Sequence, residues 1–297
     1  MRPRGVSVDY SVQTNGTLIN EAWVRFFKEN GFSVGVSIDG PEEIHNQQRR
    51  NKSGRGTFDQ VISGIEMLSS SGVKGGALCV ITRVTLRYPA DVLFHFFRDR
   101  SIEWGYLIEA KIGANINSPE ALSLEDKPAL RQYLDRLLAL WIEYPDVYIK
   151  DFEIMASKLM NPHFKNVVIN NVGCLDIVSI NSDGGFFFGN PELVGTKDER
   201  FGDFLHGNVK THNFDEARER SSFSLMRQQI ASGVRKCKAE CPYFGACRGG
   251  NFSHKYFQFR TFDVASHLTC ELNEQVSAEL LLSRLEKEAK CPAYSFP

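Results

Sequence analysis

Between Val6 and Trp141 the sequence alternates period-two runs with helical runs, and no other feature restricts its fold as much. Val6, Val8, Tyr10 and Val12 repeat every second residue, as the two faces of a strand require, and an aromatic-rich helical stretch holding Ala22, Trp23, Phe26 and Phe27 follows. A second strand is expected over Ser33 to Ile38. It breaks at Asp39-Gly40-Pro41, and a helix resumes at Thr57, where Thr57 and Gln60 have capping-box spacing ahead of Val61, Ile62, Ile65 and Leu68. A third strand spans Ala77 to Thr82, its helix runs from about Pro89 to Asp99, and Trp104, Tyr106 and Ile108 alternate as a fourth. Leu130, Leu134, Leu137, Leu138 and Trp141 mark another helix. Strict alternation with short connections demands crossover helices and therefore an α/β fold with a parallel sheet, either a barrel or an open doubly wound sheet.

After Pro145 the periodicity degrades and turns and cysteines multiply, so a boundary is expected between 145 and 165, dividing the chain into 1–150 and 151–297. A hairpin is predicted from Val178 to Phe188 across Asn181-Ser182-Asp183-Gly184-Gly185, and a last helix from Asn273 to Lys287. Charge selects no partner: 35 Lys plus Arg against 36 Asp plus Glu leave a net charge of -1, without the basic surplus that nucleic acid or an anionic membrane attracts. The opening MRPRGVSVDYSVQTNG has no apolar signal region, and no later run is long and apolar enough for a membrane span. A soluble, cytoplasmic protein is expected.

Five of the seven cysteines fall between 174 and 270, and that clustering points to metal or redox chemistry rather than a disulfide framework. The strongest signal is Cys237-x3-Cys241-x5-Cys247, followed by Cys270. Four thiolates can complete the coordination of a four-iron cluster, whose iron sites take soft sulfur donors, or can close tetrahedrally around a structural zinc. The spacing admits both. Pro242, Gly245, Gly249 and Gly250 suggest a loop wrapping a centre, while Cys79 reads as a core residue and Cys291 as inert. Cys174 either contributes to a second centre or packs.

The stretches QTNGTLINEAWVRFFKENGFSVGVSIDGPEEIHNQQRR and GRGTFDQVISGIEML resemble the radical S-adenosylmethionine (SAM) core of anaerobic sulfatase-maturating enzymes and their peptide-modifying relatives. CPYFGACRGGNFSHKYF with Cys270 resembles the auxiliary-cluster SPASM domain of the same group. The resemblance implies a partial TIM-like (β/α) barrel of the radical SAM type with a C-terminal cysteine-rich SPASM domain, and favours iron–sulfur over zinc. It implies an auxiliary 4Fe-4S cluster on Cys237, Cys241, Cys247 and Cys270. It also implies SAM held through Ser37 and Arg49, with Asn15 and Gly16 shaping the pocket rim. A hydroxyl after a strand and a bidentate guanidinium suit a carboxylate, although a turn-capping Ser37, a solvated Arg49, a plain turn at Asn15-Gly16 and a loop-capping Asp39 are the ordinary roles of such residues.

Two departures qualify the resemblance. The Cys-x3-Cys-x2-Cys loop that carries the SAM-cleaving cluster is absent from the sequence, so an N-terminally truncated chain, inactive alone, is expected. Where sulfatase maturases carry further cysteines and an Asp base, this chain has Gly189 and Asn190, which argues against formylglycine formation. CLDIVSINSDGGFFFGNPELVG and FGDFLHGNV look more like the maturases that cross-link ribosomal peptides, cyclophane formers included. A peptide or protein substrate and an electron donor such as flavodoxin or ferredoxin follow from that likeness. The rival expectation is a non-catalytic peptide-binding module with a structural zinc or iron–sulfur site.

Overall fold

The computed structural model describes residues 7–160 and 177–289. It divides into two compact units: one runs to Glu109 and takes in Pro119–Ile154, the other takes in Ala110–Ser118 and continues from Met155.

The first unit follows the alternation in the sequence: β1 (Tyr10–Thr14), α1 (Glu21–Asn30), β2 (Phe32–Ser37), α2 (Glu42–Gln48), α3 (Phe58–Ser70), β3 (Gly75–Ile81), α4 (Ala90–Arg98), β4 (Trp104–Ile108) and α5 (Lys127–Glu143), with α6 (Lys150–Met160) beginning in it. The four strands are parallel and lie in chain order, β1-β2-β3-β4. An open doubly wound sheet reverses its order at a switch point; this sheet does not, and its strands are successive staves of a partial barrel of the radical SAM type. Val34 and Val36, then Ala77, Cys79 and Ile81, then Trp104, Tyr106 and Ile108 bury the face that meets the helices. Phe97 of α4 stacks on Trp104 with ring centres 4.5 Å apart. Gln13, Gly35, Ser37, Gly76 and Leu78 occupy the alternate face. Capping sets α1: Asn20 Oδ1 accepts from Trp23 N at 3.1 Å, and Gly31 ends the helix at φ 67°.

Three local expectations change. β1 starts at Tyr10, with Val8 exposed ahead of it, and Val6 lies outside the described residues. The predicted break at Asp39-Gly40-Pro41 is followed by α2, a short and largely polar helix whose buried residues are Ile44 and His45. Thr57 does not cap α3: it makes no side-chain capping bond, and its hydroxyl instead meets His45 Nε2 at 3.0 Å.

In the second unit the predicted hairpin is present as β5 (Val178–Ile180) antiparallel to β6 (Gly185–Phe188), with β7 (Gly207–Asn208) on the other side of β6. Phe186, Phe187 and Phe188 are all fully buried, so β6 is covered on both faces, and they join Phe201, Phe204 and Phe223 in an aromatic core. The helices are α7 (Phe214–Arg218), α8 (Ser221–Glu240), α9 (Phe244–Cys247), α10 (Phe252–Phe259) and, after a π-helical turn at Cys270–Glu274, α11 (Gln275–Ala289). Gly233 lets α8 approach the 262–264 segment: a Cβ there would stand 2.2 Å from the Phe262 carbonyl oxygen. Among the described residues no helix is long and apolar enough to cross a membrane.

Candidate functional site

Ligands of parallel α/β sheets bind at the carboxyl ends of the strands, and two such ends, those of β1 and β2, carry residues the sequence singled out. After β1, Asn15 Oδ1 accepts from Thr17 N at 3.3 Å and from Thr17 Oγ1 at 3.1 Å, an Asx-type turn. Gly16 follows at φ 74°, where a Cβ would stand 2.7 Å from Val36 Cγ1. At the end of β2, Ser37 Oγ accepts from Gln13 Nε2 at 3.1 Å. Arg49, just past α2, donates from Nε to Asp39 Oδ2 at 2.6 Å and from Nη2 to Oδ1 at 3.1 Å. Asp39 is buried and also accepts from Val80 N of β3 at 2.9 Å. The bidentate carboxylate of Arg49 is thus Asp39 of the same chain, because that buried acid needs a countercharge.

Asn15 and Arg49 nevertheless share a cavity of about 420 Å³ with Thr17, Leu18, Gln48 and Arg50. Ser37 and Gly16 are not among its lining residues. Arg49 keeps donors beyond those spent on Asp39, and with Arg50 it gives the cavity a cationic side suited to a carboxylate.

His45 is the residue here that sequence reasoning missed. Its ring is fully buried, Nδ1 accepts from Asp39 N at 3.3 Å, and Nε2 faces Thr57 Oγ1 at 3.0 Å. Burial pushes its pKa down to about 4, with Arg49 adding to the effect and Asp39 opposing it. The neutral ring therefore accepts at Nδ1 and donates at Nε2, and the Thr57 hydroxyl continues to the Arg49 carbonyl at 3.4 Å. The signal available was one His in a polar run, EEIHNQQ, with nothing to show that it faces inward.

In the second unit three elements bring four cysteines together. Cys237 lies on α8 rather than in a loop, Cys241 closes that helix with its N–H on the Cys237 carbonyl at 2.9 Å, Cys247 ends α9, and Cys270 opens the π-helical turn. Cys237, Cys247 and Cys270 are buried and Cys241 is half-buried. The Cys270 thiol donates to Cys247, which raises the former's pKa and lowers the latter's, and Gly249 N–H adds a bond to Cys247. Burial pushes Cys237 up to about 11, with Lys255 opposing. Cys270 N donates to His267 Nδ1 at 3.2 Å. Cys174 and Cys291 lie outside the described residues.

Lys255, on the inward face of α10, is 2% exposed, and among the described residues no carboxylate lies within ion-pair distance of it. Burial lowers its pKa; Cys237, Cys270 and Cys247 are the groups that most oppose that shift. A buried ammonium without an anion is costly, so this pocket fits an anionic centre. Among the described residues no three His, Cys, Asp or Glu side chains converge on a single-ion point. A four-iron cluster takes four thiolates, and the four cysteines are donors of that chemistry.

At Gly189 and Asn190 the chain is closely packed. A Cβ on Gly189 would stand 2.6 Å from the Phe252 ring, and Asn190 Nδ2 donates to Asn251 Oδ1 at 3.1 Å. The neighbouring carboxylate is Glu192, which accepts from Ser253 Oγ and lies 3.5 Å from His254 Nε2. Burial raises its pKa, and His254, Ser253 and Asn251 together outweigh that and hold it low.

A model of the radical SAM superfamily matches residues 5–93. A cysteine-type anaerobic sulfatase-maturating enzyme of Clostridium novyi is 30% identical over 304 residues, covering 98% of this chain and 76% of that enzyme. The solved structure of native anSMEcpe with bound AdoMet matches with a TM-score of 0.76 at 25% identity, covering 96% of this chain and 76% of that one. Native anSMEcpe with bound AdoMet and Cp18Cys peptide matches with a TM-score of 0.74 at 23% identity, covering 96% and 77%. The expected truncation is not shown, since the superfamily match already begins at residue 5; Cys79 is the one cysteine inside it, buried in β3. With the parallel staves, the strand-end cavity and the thiol set of the second unit, these matches establish that the chain belongs to the radical SAM family that includes the anaerobic sulfatase-maturating enzymes.

Proposed function

We propose that this radical SAM protein cross-links side chains of a ribosomally made peptide, with SAM at the strand-end cavity and an auxiliary four-iron cluster on Cys237, Cys241, Cys247 and Cys270. The observation that carries the auxiliary cluster is the proximity of these thiols from α8, α9 and the π-helical turn beside the buried Lys255. Family relatives with bound AdoMet and a bound peptide support the SAM and peptide parts.

When bound and reduced, SAM supplies a 5′-deoxyadenosyl radical that takes a hydrogen atom from the peptide. This chain's own share is to hold and orient. Asn15 and Arg49 line the SAM cavity, Gly16 keeps the turn close to Val36, and Ser37 presents a hydroxyl at the neighbouring strand end. SAM cleavage is assigned to no cysteine of this sequence, which has no Cys-x3-Cys-x2-Cys spacing. Cross-linking is preferred to formylglycine formation because Gly189 and Asn190 stand where the maturases carry further cysteines and an Asp base. A flavodoxin or ferredoxin would deliver electrons.

Anaerobic purification followed by iron, sulfide and zinc analysis, with a Cys241→Ala variant alongside, tests the cluster. About four irons and four sulfides per chain, lost in the variant, are expected. One zinc and no sulfide would instead leave a zinc-held peptide-binding module.

A further inference from the structure

Lys255 has no role in the reading given so far, and its position is hard to explain by packing. α10 turns Phe252, Ser253, Lys255 and Tyr256 inward. Phe252 and Tyr256 fill the aromatic core, and Ser253 bonds Asn251 and Glu192. Lys255 is as deeply buried as they are, yet its ammonium has no ion pair among the described residues. Asp263, the acid whose charge reaches it, is paired with Lys236 at 3.1 Å. Its other charge neighbours are Cys237, Cys270 and Cys247, three of the four thiols and one from each of the three elements that carry them.

We propose that Lys255 is the counter-charge of the centre held by Cys237, Cys241, Cys247 and Cys270, and that it sets that centre's reduction potential. The inference rests on the four-iron reading above. A four-iron cluster with four thiolates is anionic, and reduction adds one electron and one more negative charge. A fixed cation in a water-poor site therefore stabilises the reduced form more than the oxidised form and raises the potential. The chain from Cys247 to α10 is only four residues long, left-handed at Arg248, Gly249 and Gly250 with φ of 59°, 124° and 70°, and closed by Asn251 as the helix cap. It fixes the position of Lys255 relative to Cys247, so the countercharge is built in rather than recruited.

The test compares the full chain with Lys255→Met, of similar length but neutral, and Lys255→Arg, which keeps the charge. Iron and sulfide are measured first, then the potential by a dithionite titration followed by electron paramagnetic resonance. The expected result is unchanged iron and sulfide in all three, a more negative midpoint in Lys255→Met, and a midpoint near the parent's in Lys255→Arg. If Lys255→Met folds but loses its iron while Lys255→Arg keeps both iron and potential, the charge is needed to hold the centre at all, and the proposal stands. Equal midpoints in the parent and Lys255→Met would overturn it while leaving the cluster reading intact, as would loss of iron from both variants, which would make the position one of shape. A parent chain without iron and sulfide would sink the cluster reading itself.

Discussion

Arg49 grips Asp39 through two parallel hydrogen bonds, 2.6 Å and 3.1 Å long, and the acid end of that pair is almost fully buried while the guanidinium keeps an exposed edge. Asp39 also holds the Val80 N–H, so one carboxylate ties the end of β2 to β3 and to the residue that closes α2. Asp39→Ala is expected to cost about 3 kcal/mol, since it strands Arg49 and a backbone donor. Arg49→Ala leaves the acid unpaired and should cost a similar amount, and the double variant should cost clearly less than the sum. Urea unfolding of the three variants measures this; strict additivity would mean the two side chains do not support one another.

Gly16 is expected to resist replacement for two separable reasons, its φ of 74° and the 2.7 Å approach to Val36 Cγ1. Gly16→Ala should destabilise by about 2 kcal/mol. Combining it with Val36→Ala relieves the overlap but not the backbone strain, so the pair should cost less than the two single changes added. A fully additive pair, measured by urea unfolding, would place the whole penalty on the backbone.

Two buried imidazoles should make the protein acid-sensitive. Burial holds His45 and His206 at a pKa of about 4 in the fold, against about 6.5 when unfolded. Between those values the unfolded chain binds more protons, so stability is full above about pH 6.5 and falls as the pH drops toward 4. The loss is about 2 kcal/mol for each ring by pH 5 and about 3 below pH 4. His45 lies in the first unit and His206 in the second. His45→Gln and His206→Gln should each flatten the pH dependence of unfolding, read by near-ultraviolet circular dichroism in urea. A parent profile that is flat from about pH 7 to about pH 4 would refute this assignment.

Gly233→Ala tests the close approach of α8 to the 262–264 segment. The added methyl would meet the Phe262 carbonyl, which as backbone cannot swing away, and the expected cost is about 3 kcal/mol. Because Cys237 lies one turn further along α8, the displacement should also expose its thiol. Faster labelling of Cys237 by a thiol reagent in the variant is the expected sign, and unchanged labelling with unchanged stability would show that the 262–264 segment yields freely.

The sheet and its helices were legible because Val34/Val36 and Trp104/Tyr106/Ile108 keep a strict period of two, and Leu130/Leu134/Leu137/Leu138 a helical one. α2 was not, since it is short, mostly polar and offers only Ile44 and His45 to bury. Thr57 shows why spacing misleads: Thr57 and Gln60 have the separation of a capping box, yet the hydroxyl is drawn away by a buried imidazole twelve residues earlier. The cysteine spacing announced a donor set, but placing Cys237 on a helix needed the tertiary structure. Lys255 was invisible for a different reason. In NFSHKYFQF it reads as the solvated member of an amphipathic helix, and only packing shows that it points inward. Arg49 was singled out by the family resemblance, and nothing local marked Asp39 as the acid it would meet.

The chain-order arrangement of β1 to β4 carries a consequence for how the first unit is made. Each strand pairs with the one synthesised just before it, so every new βα segment leaving the ribosome finds its docking edge already formed. No strand has to wait for a distant partner, and the loops closed at each step stay short. The sheet can therefore grow stave by stave, and when β4 emerges Trp104 can stack on Phe97, which is already in place on α4.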